Sequence, residues 1–235
     1  MSTTHDSGPA LSLGLGEEAA RWLADAVERI GADAEALASL FPAAGRACGR
    51  DPVAAMPGWT VDQAVRVELM RALPLTGAAL GETLFDLYTR GDAAERLAVL
   101  KGLPALDEDG RLADAGLPVV RDALRTNDAR LVRAALGPYG ARHLPDHSYR
   151  QAILKCVFIG VPLGEVSGLD TRADEELARM MADFAEERLR AGRQVPADIW
   201  PVVETYPSLL TKVRALLAEG DPHAAAGSDA PRDPA

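Results

Sequence analysis

Two short stretches of this sequence carry most of the side chains that could bind or convert a ligand. The first lies at an Asn-Asp turn, and the second lies on one helical pattern about 25 residues later. Guanidinium groups and the free amides of a helix start are the groups that bind phosphate or carboxylate. We therefore predict a site for a small anionic or phosphorylated molecule. The six candidate ligand-binding residues are Arg125, Asn127, Asp128, Arg150, Gln151 and Lys155.

Each half of this candidate site also has a simpler interpretation. Asn127 and Asp128 are typical of a turn followed by a helix cap. Lys155 lies between apolar residues, and such surroundings favour the neutral amine of a Schiff-base or general-base lysine. We therefore take Lys155 as the candidate catalytic residue. The alternative is a lysine whose stem packs on the protein while its ammonium reaches water or a carboxylate.

The segment 121–155 has the opposite charge to the rest of the protein. It holds seven basic residues and three acids, whereas the whole chain has a net charge of −10. Clustered charge attracts ligands of the opposite sign. A charge run is also typical of a solvated surface. The sequence leaves both readings open.

The cysteine and histidine residues do not form a recognisable metal or disulfide motif. Cys48 and Cys156 are far apart, and the helical pattern places Cys156 in the core as a packed thiol. His143 and His147 are four residues apart, but Pro145 between them makes a regular helix unfavourable. We predict no metal site and no cofactor.

Composition and charge limit the classes of partner. The net charge of −10 argues against nonspecific binding to nucleic acid. The longest apolar run, at 156–163, is too short to span a bilayer. The N-terminus lacks the basic and apolar regions of a signal peptide. These features predict a cytoplasmic protein.

Apolar spacing predicts an all-α fold, because no stretch alternates with period two. Two capping boxes mark helix starts, Thr60 with Gln63 and Asp92 with Glu95. A helix is expected to end near Pro42, and Thr171 is expected to cap a long helix. The helix around Cys156 has apolar residues on opposite sides, Phe158 among them, which is typical of a buried helix.

The pattern predicts a single helical domain over residues 16–218. Residues 1–15 and 219–235 are small and polar and are predicted to be disordered. The domain is a bundle or superhelix of short helices. Similar segment starts at 91–103 and 127–139 suggest a HEAT-like or armadillo-like α-solenoid as one form of it.

Several strings of the sequence resemble the EboA-domain family. They include LRTNDARLVRAALGPYGARHL at 124–144 and RQAILKCVFIGVPL at 150–163, and the resemblance covers about residues 17–205. Members are encoded in bacterial and algal gene clusters beside a prenyltransferase, a hydrolase, a cyclase and a sugar-isomerase-like protein. The resemblance implies an accessory protein of secondary-metabolite biosynthesis or precursor export, with no assigned catalytic residue.

Three hypotheses follow from the residues and the resemblance together. The first is a helical scaffold that binds a small polar or anionic intermediate or a partner enzyme of the same biosynthetic cluster. The second is an enzyme acting on an anionic sugar-like or prenylated substrate, with Lys155 as base. The third is a pure protein–protein interaction module.

Overall fold

The computed structural model describes residues 13–220 and confirms the all-α prediction. The α-helices of this part are, in chain order, α1 Glu17–Ala32, α2 Leu37–Ala47, α3 Val61–Arg71, α4 Gly77–Arg90, α5 Ala93–Glu108, α6 Leu117–Arg125, α7 Ala129–Ala135, α8 Pro138–His143, α9 Asp146–Ile159, α10 Leu169–Arg172, α11 Glu175–Arg190, α12 Trp200–Val203 and α13 Pro207–Gly220. Short 3₁₀ turns occupy Ala34–Ala36, Ala113–Gly116, Leu163–Glu165 and Ala197–Ile199. Within residues 13–220, β-type pairing is limited to a bridge between Pro52 and Thr60.

The chain forms two compact units, residues 1–144 and residues 145–235. A single domain over 16–218 therefore stays a prediction, as does the solenoid arrangement. The ends predicted to be disordered, 1–15 and 219–235, lie mostly outside the described residues. Helices α1 to α8 belong to the first unit, and helices α9 to α13 belong to the second.

The first unit is built around helix α3. Its residues from Val61 to Met70 are buried except Glu68, and the helix packs against α1, α2 and α5. Helix α5 approaches closely at Gly102, where an added Cβ would collide with Met70 Cε. Each fully buried Val, Leu or Met side chain contributes about 1.5–3 kcal/mol. Helix α3 is therefore the element against which the rest of this unit is positioned.

The second unit is organised on α9 and α11. Helix α9 buries Tyr149, Ile153 and Cys156, and it packs against α11, which in turn packs against α12 and α13. The prediction that α9 is buried on both sides is wrong, because Phe158 is 75% exposed. Helix α9 buries one face only, so the apolar residue on its opposite face remains at the surface.

Three helix starts with local side-chain signals are where the sequence placed them. Glu95 and Asp92 form the predicted capping box of α5, and each carboxylate accepts the other residue's backbone N–H, at 3.0 and 2.9 Å. Asp128 caps α7 by accepting the N–H of Arg130. Gln63 Oε1 accepts the N–H of Thr60 at 3.4 Å at the start of α3. These short-range hydrogen bonds form irrespective of tertiary packing, which makes them predictable.

Two helix boundaries were predicted wrongly. Helix α2 continues through Pro42 to Ala47, since burial of Leu40, Phe41 and Ala44 holds the segment helical despite the proline. Asp174, and not Thr171, caps the long helix α11, because its carboxylate accepts the N–H of Leu177. In both cases packing, or a competing cap three residues further on, outweighed the local signal.

The phenol of Tyr88 is expected to destabilise the first unit. Among the described residues its Oη is buried without a hydrogen-bond partner, and an unsatisfied buried hydroxyl costs about 1–3 kcal/mol. Tyr88→Phe should leave the free energy of unfolding unchanged or raise it by about 1 kcal/mol, measured by urea denaturation. Tyr149 is the matched control, since its hydroxyl donates to the carbonyl of Ser167 at 2.7 Å. A loss of stability in Tyr88→Phe that equals the loss in Tyr149→Phe would contradict this account.

Candidate functional site

A cavity of about 380 Å³ lies between helices α2 and α4 of the first unit, and Glu95 from the start of α5 completes its lining. This volume lies within the range of about 300–1,000 Å³ that is typical of small-molecule sites. Leu37, Phe41 and Leu87 supply apolar wall, and Thr83 and four charged residues supply the polar atoms. The charged residues that line the cavity are Glu35, Asp86, Arg90 and Glu95.

Glu95 is the most buried of the three carboxylates in the lining, because Glu35 and Asp86 are both exposed. Its side chain is 13% exposed. One oxygen, Oε2, accepts the backbone N–H of Asp92 at 3.0 Å, so the capping box fixes the carboxylate in place. The other oxygen, Oε1, lies 3.8 Å from Nη2 of Arg66, too far for a hydrogen bond. Glu95 therefore keeps hydrogen-bond accepting capacity in the cavity lining.

Arg66 contacts two residues of the cavity lining, Phe41 and Glu95. Its Nε donates to the carbonyl of Phe41 at 3.1 Å, and its guanidinium lies over the Phe41 ring, 5.4 Å from the centroid. Nη1 donates to Asp62, which also accepts the Thr60 hydroxyl at 2.6 Å. Arg66 and Asp62 are both buried. Because this ion pair is satisfied within the core, it holds Phe41 at the cavity wall as a rigid support.

The proline inside α2 changes the chemistry of the cavity wall. Pro42 has no N–H, so the carbonyl of Ala38 loses its usual helical donor four residues later. Both residues line the cavity. On the facing helix, the Thr83 hydroxyl donates to the carbonyl of Ala79 at 3.0 Å and is left with acceptor capacity. The cavity thus presents mainly hydrogen-bond acceptors on an apolar surface.

Lys101 is a lysine with an unusual environment that the sequence did not single out. Its ammonium donates to the carbonyl of Gly58 at 2.6 Å and to Oε1 of Gln63 at 2.7 Å, and it lies 4.7 Å from the Trp59 ring centroid. Burial, together with the charge of Arg133, lowers the pKa of Lys101. Since its donors are directed at these groups, Lys101 fastens the loop before α3.

The first half of the predicted site is at the turn between α6 and α7. Arg125 is 80% exposed and makes a loose ion pair with Asp122, at 3.8 Å. Asn127 is exposed. Asp128 caps α7 and accepts the guanidinium of Arg130 at 2.7 and 3.1 Å, and this hydrogen bond lowers the pKa of Asp128. A turn-and-cap role accounts for Asp128, while Arg125 has room to meet a ligand.

The second half of the predicted site is on α9, in the other unit. Arg150 is held by the carboxylate of Asp174, with Nε 3.0 Å from both oxygens. This ion pair places Arg150 at the cap of α11. Gln151 is exposed and Lys155 is half-buried. The six predicted residues are therefore divided equally between the two units.

Two acids from outside the basic segment 121–155 neutralise arginines within it. Arg142 lies 2.6 Å from Asp107, and Arg150 pairs with Asp174. In the opposite direction, Asp146 within the segment accepts a hydrogen bond from Arg172 outside it, at 2.7 Å. Asp107 and Asp174 therefore reduce the local excess of positive charge through contacts that the charge count of the segment does not include.

The cysteines are held as protonated thiols. Cys156 is buried, and burial raises the pKa of its thiol to about 12. Burial likewise raises the pKa of Cys48 to about 11. Both thiols are therefore protonated and inert near neutral pH. Within residues 13–220, no group of three or more His, Cys, Asp or Glu side chains is placed to hold a metal ion.

His143 instead bridges two carboxylates. Nδ1 lies 2.8 Å from Asp114, and Nε2 lies 2.9 Å from Asp107. Burial alone would lower the pKa of His143, but the hydrogen bonds to the two carboxylates outweigh it and raise the pKa. The protonated ring, which donates from both nitrogens, therefore ties the end of α8 to the last turn of α5 and to the 3₁₀ turn before α6.

His143→Gln is expected to reduce stability in a pH-dependent way. A raised folded-state pKa means that the stabilisation is complete below the ordinary histidine pKa of about 6.5 and is lost as pH rises through the folded value. The variant should therefore lose about 1.5–3 kcal/mol at pH 5.5 and less at pH 9. Urea denaturation across this range measures the difference. A difference that is constant with pH would show that the imidazolium charge has no role.

The second unit contains a separate cavity of about 450 Å³. Its walls are mainly apolar, with Leu163, Leu169 and Val202 among them, and Asp170 and Thr205 are among its polar residues. The Thr205 hydroxyl donates to the carbonyl of Pro201 at 3.3 Å. The carboxylate of Asp170 is exposed at the surface.

The residues that line or support the first cavity were missed because the same sequence signals also occur at ordinary surface positions. Asp62 and Arg66 are spaced four apart, which usually indicates a surface ion pair. The signal that could have identified them is the surrounding sequence, since α3 carries apolar residues on every side and such a helix is buried. Glu95 was predicted as a capping residue, and this local role gave no indication of the cavity behind it.

The comparisons with known proteins agree with the resemblance seen in the sequence. A family model described as metabolite traffic protein EboA matches residues 52–204. No curated protein and no solved structure matches the chain. The matched range begins after the last residue of α2, so the residues of α2 that line the cavity lie outside it. Because the matched range is more than half of the chain, the protein belongs to the EboA family.

Proposed function

We propose that this protein is an accessory of metabolite traffic that holds a small molecule in the cavity of its first unit. The description of the family supports the general role. The single observation that carries the site is the cavity between α2 and α4 with Glu95 in its lining. Rigid support and an apolar lining with a few polar groups are the features of small-molecule sites.

The lining favours binding over conversion of the ligand. Its side-chain polar groups are three carboxylates, one guanidinium and one hydroxyl. Two of the carboxylates already have partners, since Asp86 accepts the guanidinium of Arg90 and Glu95 accepts the N–H of Asp92. A carrier needs affinity and shape, whereas catalysis needs a nucleophile or proton-transfer group directed at the reacting atoms. Carriage of an intermediate to a partner enzyme of the same biosynthetic cluster, in the cytoplasm, is part of the proposal.

A thermal-shift screen of metabolites tests this function. A ligand at 100 times its dissociation constant stabilises by about 2.7 kcal/mol, which corresponds to roughly 5–11 °C for a chain of this size. Ala38→Trp fills the cavity from an exposed wall position and should abolish the shift. Ala78→Trp, at an exposed position of α4 outside the lining, is the matched control. A shift that survives in Ala38→Trp would place the site elsewhere.

An anionic ligand at the sequence-predicted residues is the second candidate. The exposure of Arg125 and its loose ion pair with Asp122 favour it. Sugar phosphates and prenyl diphosphates belong in the same screen, with Arg125→Ala and Arg150→Ala as variants. If Lys155 acts as the base of an enzyme, Lys155→Met should abolish turnover of such a substrate. An interaction module would give a flat screen together with a co-purifying partner.

A further inference from the structure

We propose that the cavity between α2 and α4 selects a ligand with an apolar body and a protonated amine. This inference rests on the proposed function, because it names the chemical class of the molecule held in the same cavity. The polar groups of the lining, their existing hydrogen bonds and their charges support it independently of the sequence-predicted anion site.

The hydrogen-bonding groups of the lining are mostly acceptors. Glu95 has one oxygen with no hydrogen bond to Arg66, the Ala38 carbonyl lacks its helical donor, and the Thr83 proton is used on Ala79. An ammonium group has three donors and no acceptor. An ammonium can therefore donate to the acceptors of the lining, whereas a carboxylate or a fully ionised phosphate has no proton to donate to them.

The charges of the lining point to the same class. The lining contains three carboxylates, Glu35, Asp86 and Glu95, and one guanidinium, Arg90. Arg90 already donates to Asp86 at 3.1 Å. Arg66, which is not part of the lining, hydrogen-bonds Asp62 and lies 3.8 Å from Glu95. A bound cation would therefore meet negative charge that neighbouring arginines only partly balance, and hydrogen bonds to charged groups are the strong ones.

The apolar residues of the lining favour a ligand whose main part is apolar. Leu37, Phe41, Pro42 and Leu87 line the cavity around the polar groups. An alkyl or aryl group packs against them, and its ammonium then reaches Glu95 in the same lining. A fully polar polyol would leave this surface without contacts.

Three probes with one apolar body and different head groups test the inference. They are 2-phenylethylammonium, 2-phenylethanol and 3-phenylpropanoate, titrated calorimetrically into the full chain at pH 7. We expect saturable binding in the order cation, alcohol, anion, with the cation at least about tenfold tighter than the alcohol. Equal or tighter binding of the alcohol or the anion would overturn the cation inference and leave the cavity as a site. No binding of any probe would overturn both.

Glu95→Gln separates charge from folding. Glutamine keeps the capping hydrogen bond to the N–H of Asp92 while it removes the negative charge. This variant should keep its melting temperature and lose the preference for the cation over the alcohol. Glu82→Gln, at an exposed position of α4 outside the lining, makes the same charge change as a control. Retained cation preference in Glu95→Gln, or its loss in Glu82→Gln, would contradict the role of Glu95.

Discussion

Arg66→Met is expected to lower the free energy of unfolding by about 3–5 kcal/mol, because it leaves the buried carboxylate of Asp62 without its cation. The variant also removes the donor to the Phe41 carbonyl. For a chain of this length, the melting temperature should fall by roughly 6–20 °C. Urea denaturation and thermal melting both measure the effect.

The double variant Arg66→Met with Asp62→Asn tests the cause. Since it removes both charges together, it should recover part of the lost stability. Arg29→Met, on an exposed arginine of α1 paired loosely with Asp25 at 3.8 Å, should change stability by no more than about 0.5 kcal/mol. An Arg66→Met variant as stable as Arg29→Met would show that the buried ion pair does not support the core.

Arg111→Lys is expected to cost about 2–4 kcal/mol. The guanidinium of Arg111 donates to three backbone carbonyls, those of Arg71, Leu73 and Leu75. Its own carbonyl accepts the N–H of Gly77 at 2.8 Å. A lysine ammonium cannot reproduce this planar fork. The substitution should therefore release the connection between α3 and α4.

Hydrogen exchange locates this effect. Amides of residues 71–77 and 109–116 should exchange faster in Arg111→Lys, while amides in α9 and α11 should be unchanged. Arg121→Lys, at an exposed position of α6, is the control for the chemical change. Unaltered protection of 71–77 would mean that the hydrogen bonds of Arg111 add little to the connection.

The sequence predicted those parts of the fold that depend on short-range signals. Thr60, Asp92 and Asp128 begin helices as expected, because their caps involve residues only two or three positions away. Pro42 was misread, since burial of Phe41 and its neighbours outweighs the loss of one helical hydrogen bond. Helix α8, from Pro138, was not predicted. The sequence pattern there indicated only the end of the preceding helix.

The candidate site was less predictable, because it depends on contacts between distant segments. Counting charges over 121–155 could not show that Arg142 pairs with Asp107 or Arg150 with Asp174. In the same way, Glu95 and Phe41 are 54 positions apart and meet through Arg66. The spacing of residues on one helix gives no information about such partners. The anion site at Arg125 and Lys155 thus stays a prediction.

The most direct test of the central claim is an NMR titration of the isotope-labelled protein with 2-phenylethylammonium. If the cavity between α2 and α4 is the site, saturable shifts of backbone amides will be concentrated in residues 34–42 and 83–95. The same titration of Ala38→Trp will show none. Shifts concentrated at residues 125–128 or on α9, or shifts that never saturate, would contradict the claim that the protein holds a small molecule in this cavity.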